Sequence, residues 1–259
     1  MMMWLVLLVS AAVAPGCPDG MLGVPGGSFE IAGETVAVAA FCLDRTEVTV
    51  ASYALCVEAG ACSPAHDTVR VPNISERDRA LWSRSCNAQD PGRTAYPINC
   101  VDQAQARAFC TWRHARLPRS AAWTWAARGG DAARTYPWGS TPASERRVNA
   151  CGAECRERLV RLGVPWRLMY YGDDHYPTTA PVGSFQHGAG RFGHLDLAGN
   201  VWERVEGTLE KQPGSGIIRG GGWLQTDAKW LETNARAAYP PDARGSAVGF
   251  RCAADPRGD

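Results

Sequence analysis

The chain has 259 residues, with 27 Lys and Arg against 26 Asp and Glu and a formal net charge of +1. That balance leaves no electrostatic footprint for nucleic acid or for an anionic membrane surface, so neither is expected as a partner. No composition shift or linker-like run divides the chain. It therefore reads as one domain large enough to bury a substantial core, and its 28 Gly, 17 Pro and 10 Trp predict an irregular fold held by aromatics, turns and cross-links.

In chain order, Trp4–Val13 (WLVLLVSAAV) is a short apolar run followed by small residues. It reads as a secretion signal over residues 1–16, too short to span a bilayer, although no Lys or Arg precedes it. Residues 17–259 are then a single mature domain with no further transmembrane segment. Ten cysteines are too many for a reduced cytosolic protein of this size. Secretion, or residence in a periplasm or cell envelope, follows. Cys17 is read as a disulfide partner, with lipidation as the less favoured option because Pro15 fits a lipoprotein cleavage site poorly.

Met21–Phe29 and Cys42–Val50 read as short strands between Gly/Pro turns. Thr49 can cap a helix with Tyr53, Ala54 and Val57 on one face, and Cys56 and Cys62 bracket its end with the spacing of a local disulfide loop. Residues 63–97 are polar and broken by Pro and Gly, and read as surface loop. Asp102 with Gln105 is a variant capping box that opens the clearest helix, with Val101, Gln105, Ala108, Phe109 and Trp112 on roughly one face. A second helix runs from Ala121 to Arg128 and stops at Gly129-Gly130. Trp123 and Trp125 on it read as core.

From Tyr136 onward the pattern is irregular, with oxygen donors at Asn149-Ala150 and at Asp173 to Tyr176. Cys151 and Cys155 lack the partners of a four-ligand zinc site and read as a local disulfide. The five His show no metal spacing and read as solvated or structural. Arg191–Glu203 (RFGHLDLAGNVWE) sets carboxylates at Asp196 and Glu203 on either side of a flexible Ala198-Gly199-Asn200 turn. Oxygen-only donors on a bent loop suit a hard cation such as calcium. Taken alone, the stretch reads first as a turn of the common kind whose acids face solvent.

The segments VPGGSF, DRTEVTV, PINCVDQAQARAFC, RLP, WAARGG, YPWG, TAPVGSF, GHLDLAGNVWE, RGGGW and VGFRC, in that order, resemble the formylglycine-generating enzymes, also called sulfatase-modifying factors. The resemblance runs from about Met21 to Ala254. It implies an irregular α+β fold related to C-type lectins, with little regular secondary structure and two calcium ions. One ion would take the side chains of Asn149 and Asp174 with the carbonyls of Ala150 and Tyr176. The other would take Asp196 and Glu203 with the carbonyls of Gly199 and Val201.

The family's chemistry is the oxidation of a sulfatase cysteine to formylglycine, using copper held by two cysteines just beyond the RGG motif. Here Gln225 and Trp230 stand in those places. Neither an amide nor an indole replaces a thiolate toward Cu(I), so copper is not expected. Further departures are Gly222 for a serine, Arg119, Ala122 and Thr124 for polar or acidic positions, and Arg204 for a tryptophan. One family bridge maps onto Cys110–Cys252; a second is missing at both ends, at Ala127 and Ala235. The remaining eight cysteines can form local bridges 17–42, 56–62, 86–100 and 151–155.

The resulting expectation is a secreted, calcium-stabilised, non-catalytic monomer. Its cleft, with Trp202, Trp223, Gln225 and Trp230, would bind a peptide or carbohydrate. The alternatives are an enzyme that still makes formylglycine, and a purely structural envelope or matrix component.

Overall fold

The computed structural model describes residues 16–31, 33–209, 212 and 214–257. The apolar leader read over residues 1–16 lies outside these, apart from Gly16. Strand β1 (Met21–Val24) is followed by a hairpin of β2 (Gly27–Ile31) and β3 (Glu34–Val38), and β4 (Phe41–Asp44) returns to pair with β1. All four residues of β4 are buried because the strand is central in its sheet, with β1 on one side and the last short strand of the chain on the other. The strand expected to run to Val50 ends at Asp44. Beyond it the backbone leaves the sheet so that Thr49 can cap helix α1 (Val50–Glu58), its hydroxyl accepting from Ser52 N at 3.1 Å.

Residues 63–97 are not all loop. Helix α2 (Glu76–Ser83) forms behind a Ser75 cap, with Glu76 and Asp78 in its first turn where acids favour the helix dipole. None of its residues is fully buried. It therefore lacks the apolar stripe that would reveal it in the sequence, and Trp82 is its main anchor.

Helix α3 (Gln103–Trp112) opens on the expected capping box: Gln105 N donates to Asp102 at 2.9 Å and Asp102 N to the Gln105 side chain at 3.0 Å. Phe109 stacks on Tyr53 and meets Phe250 edge-on, with centroids 5.7 and 5.6 Å apart. Burying such a ring contributes roughly 1.5–3 kcal/mol. This cluster, with the Cys110–Cys252 bridge, is one of the two large clusters of the core.

Helix α4 (Ser120–Ala127) ends where Gly129 takes a left-handed φ of 71°. Nearly all of it is buried, since it lies against both strand systems. Helix α5 (Ala153–Arg161) turns Cys155 and Leu159 inward, a short helix inside the stretch read as irregular. The second half of the chain builds the larger sheet from β5 (Trp202–Val205), β6 (Gly216–Arg219), β7 (Arg236–Tyr239) and β8 (Val248–Gly249), in the order β7-β6-β5-β8, with only β5 and β8 parallel. β9 (Ala253–Ala254) closes the first sheet against β4.

All five expected bridges are present: 17–42, 56–62, 86–100, 110–252 and 151–155, leaving no free cysteine. Among the described residues no helix is long and apolar enough to cross a membrane.

Candidate functional site

Two loops carry the expected oxygen donors, and the fold brings them into contact. Gly199 sits at φ 79° between Asp196 and Asn200, themselves at 55° and 54°. A Cβ at Gly199 would run into Val148 and the Asn149 carbonyl, so only glycine allows the approach. Asn200 N donates to Asn149 O at 2.9 Å across that contact.

In the first loop Asn149 and Asp174 are both buried. The Asn149 Nδ2 lies 3.2 Å from Asp174 Oδ2, 3.5 Å from Tyr176 O and 3.0 Å from Thr178 O. Asn149, Asp174 and Tyr176 therefore come together, with the Asn149 amide nitrogen rather than its oxygen facing the other two. The fourth expected donor, the Ala150 carbonyl, is next to them, 3.3 Å from the Tyr170 hydroxyl that also reaches Asp174. Asn149 Oδ1 is buried with no donor facing it. Burial raises the Asp174 carboxyl above its usual range. Glu154, which the sequence did not single out, is beside it: its Oε2 accepts from Asp174 N at 3.3 Å, and its Oε1 is buried without a partner. Burial, followed by the charge of Asp174, pushes Glu154 up to about 8.

In the second loop Asp196 and Glu203 are brought together, and a third carboxylate joins them. Glu47, from the segment between β4 and α1, is buried and accepts from Asn200 Nδ2 at 3.0 Å and from Val201 N at 3.3 Å. Burial, then the charges of Asp196 and Glu203, holds it far above the ordinary carboxylate range. Burial likewise pushes Asp196 to about 6, although Gly183 N donates to it at 2.5 Å. Glu203 is held differently: both its oxygens receive Arg251 at 2.7 Å, and Trp123 Nε1 adds a third bond at 2.7 Å. Three acids against one guanidinium leave this buried cluster two negative charges in excess when all are ionised. Among the described residues no three His, Cys, Asp or Glu side chains form a group that could hold a metal ion by themselves. Neither loop is thus a carboxylate-only cage.

The aromatic surface needs correcting. Trp223 is fully buried, edge-on to Trp82 and packed on the Cys151–Cys155 bridge, with Nε1 bonded to Ser246 O at 3.3 Å. It is core, because the glycines before it let the backbone turn the indole inward. Trp202 is only 8% exposed and meets Trp230 edge-on at 5.9 Å. Gln225 and Trp230 are the two members left half-buried. His194 is buried, in keeping with a structural role.

Residues 10–256 match the model of the sulfatase-modifying factor enzyme 1-like domain. The chain belongs to this family. It is 29% identical to the formylglycine-generating enzyme of Streptomyces coelicolor, over 94% of this chain and 92% of that one. It is 28% identical to the bovine inactive C-alpha-formylglycine-generating enzyme 2, over 68% of this chain and 56% of that one. Among solved structures it superposes on PvdO from Pseudomonas aeruginosa with a TM-score of 0.62 at 21% identity, covering 94% of this chain and all of the other. The irregular mixed fold of the sulfatase-modifying factors is therefore this chain's fold. Against that background Arg204, where the family resemblance leads one to expect tryptophan, is fully buried beneath the Tyr239 ring, 5.1 Å from its centroid.

Proposed function

We propose that this sulfatase-modifying-factor domain has given up copper oxidation and acts as a calcium-stabilised binding module of an oxidising compartment. The observation that carries the reading is at positions 225 and 230. Gln225 and Trp230 occupy the places of the thiolate pair, and all ten cysteines are bound in disulfides, so no thiol can substitute. Without a soft thiolate pair the loop offers Cu(I) no suitable site. The likeness to a relative named as inactive is in keeping with a fold that outlives its chemistry.

Calcium fits the donors present. Asn149, Asp174 and the carbonyls of Ala150 and Tyr176 would hold one ion, with the Asn149 amide turned so that its orphaned Oδ1 replaces Nδ2 toward Asp174 and Tyr176. Asp196, Glu203 and the carbonyls of Gly199 and Val201 would hold the other, with Glu47 as an additional neighbour. A divalent ion there offsets the two excess negative charges. The ions would brace the loops and carry no reaction step.

Gln225 and Trp230 would supply the ligand-facing surface, an aromatic edge beside a polar amide, suited to a peptide or carbohydrate. Five disulfides support secretion or an envelope location, and a monomer suffices for every element of this reading. The alternative, retained formylglycine formation, rests on family membership. Incubation of the purified protein with Cu(I) and a Cys-x-Pro-x-Arg peptide is expected to leave the peptide mass unchanged. Conversion to the aldehyde would establish the oxidase instead.

A further inference from the structure

Strand alternation puts Ile218 and Trp202 on one face of the larger sheet, where Trp230 packs on them, and Ile217 and Arg219 on the other, against α4. On that second face, between α4 and β7, lies a cavity of about 550 Å³. Four arginines line it, Arg128, Arg134, Arg219 and Arg236, against two acids, Glu30 and Glu232. None of the four is ion-paired among the described residues.

Arg219 is only 2% exposed, and each of its partners is neutral: Ser120 Oγ at 2.7 and 2.9 Å, Asn234 O at 3.3 Å and Ala235 O at 3.2 Å. Its direct cross-strand neighbours are Arg236 on β7 and Glu203 on β5, and the Glu203 carboxylate is already taken by Arg251 and Trp123. Like charges set opposite each other on adjacent strands are destabilising, and a buried guanidinium without a counter-charge is costly. Burial and the Arg236 charge both work against the charged form of Arg219. An anion entering the cavity would supply the counter-charge that Arg219 and Arg236 lack. Phe29 and Ile31 border the same cavity with apolar surface, and the Phe29 ring lies 4.8 Å beneath the Arg128 guanidinium.

We propose that this cavity binds a small organic molecule carrying a dianionic or strongly anionic oxyanion head, a phosphate or sulfate ester, with its apolar body against Phe29 and Ile31. The arginines exceed the acids by two charges, which favours a phosphate ester over a monocarboxylate. Arg219 and Arg236 receive the head, since planar guanidinium groups bind tetrahedral oxyanions through paired N–H donors. The site is on the opposite sheet face from Trp230, and the inference is independent of the binding-module reading.

Phenyl phosphate, phenyl sulfate and benzoate, titrated calorimetrically into the intact protein, test it. Saturable binding of phenyl phosphate is expected, weakened by added salt, with benzoate about tenfold weaker or more. Arg236→Ala changes an exposed strand residue, so the variant should fold, and it is expected to raise the phenyl phosphate Kd by about tenfold or more. Absence of saturable binding of either ester at about 10 mM, an unchanged Kd in Arg236→Ala, or benzoate binding as tightly as phenyl phosphate would each overturn the proposal.

Discussion

Arg251 grips both carboxylate oxygens of Glu203 at 2.7 Å, and neither side chain has measurable contact with solvent. The remaining guanidinium donors reach the carbonyls of Asp44, Arg45 and Leu195. One residue near the C-terminus thus joins β4, the 195–203 loop and β5. Removing one partner of such a pair strands a buried charge, so Arg251→Met is expected to lower unfolding stability by about 3–5 kcal/mol. Urea denaturation measures it, and a loss below about 1 kcal/mol would show that the pair is not the brace described here.

Chelation should lower the melting temperature, and calcium should restore it. The pH dependence sharpens this test. In the metal-free protein burial raises Asp196 from 3.8 to about 6, and burial with the charges of Asp196 and Glu203 raises Glu47 well above its ordinary range. A carboxyl whose folded-state pKa lies above its unfolded value favours the folded state at low pH, and that contribution is lost as pH rises through the folded value. The chelated protein is therefore expected to lose stability between about pH 4 and about pH 7, whereas calcium flattens the slope. Identical melting curves with and without chelator across that range would remove calcium from the account.

The disulfides should differ in worth. Cys110–Cys252 closes 142 residues and Cys151–Cys155 only 4. Loop-closure entropy predicts a stability loss of about 5 kcal/mol for Cys110→Ala with Cys252→Ala, and about 2 kcal/mol for the short bridge. Guanidinium unfolding of the two double variants gives the ranking, and equal losses would speak against an entropic origin.

Gln225→Cys with Trp230→Cys restores the thiol spacing. This double variant is expected to gain stoichiometric Cu(I) binding in a competition assay with a chromogenic chelator, while the parent shows none. Failure of the reduced variant to bind would mean that the loop has diverged in shape as well as in residues.

Trp223 and Trp230 separate core from surface. Trp223→Ala should destabilise by about 3–5 kcal/mol, as deletion of a fully buried indole does. Trp230→Ala is expected to change stability by less than half of that, since the ring is only partly covered. Similar values for both would refute the assignment of Trp230 to the binding surface.

Local chemistry was readable directly from the residues. The Thr49 cap, the Asp102–Gln105 box and the stop at Gly129 each depend on groups within a few positions, so sequence spacing is enough to find them. The helix Glu76–Ser83 is not legible in the sequence, because it is held by a cap and one tryptophan instead of an apolar stripe. The family resemblance implies Cys110–Cys252, the remaining eight cysteines are assigned to four local bridges, and the fold contains all five. Only the tertiary structure could place Glu47 beside Asp196, set Arg251 on Glu203, or oppose Arg219 to Arg236, since each joins segments whose meeting depends on how the sheets and α4 pack. The same packing turned Trp223 inward: composition marks an indole as apolar, but the glycine-rich backbone and the neighbouring Trp82 decide which side of the surface it occupies.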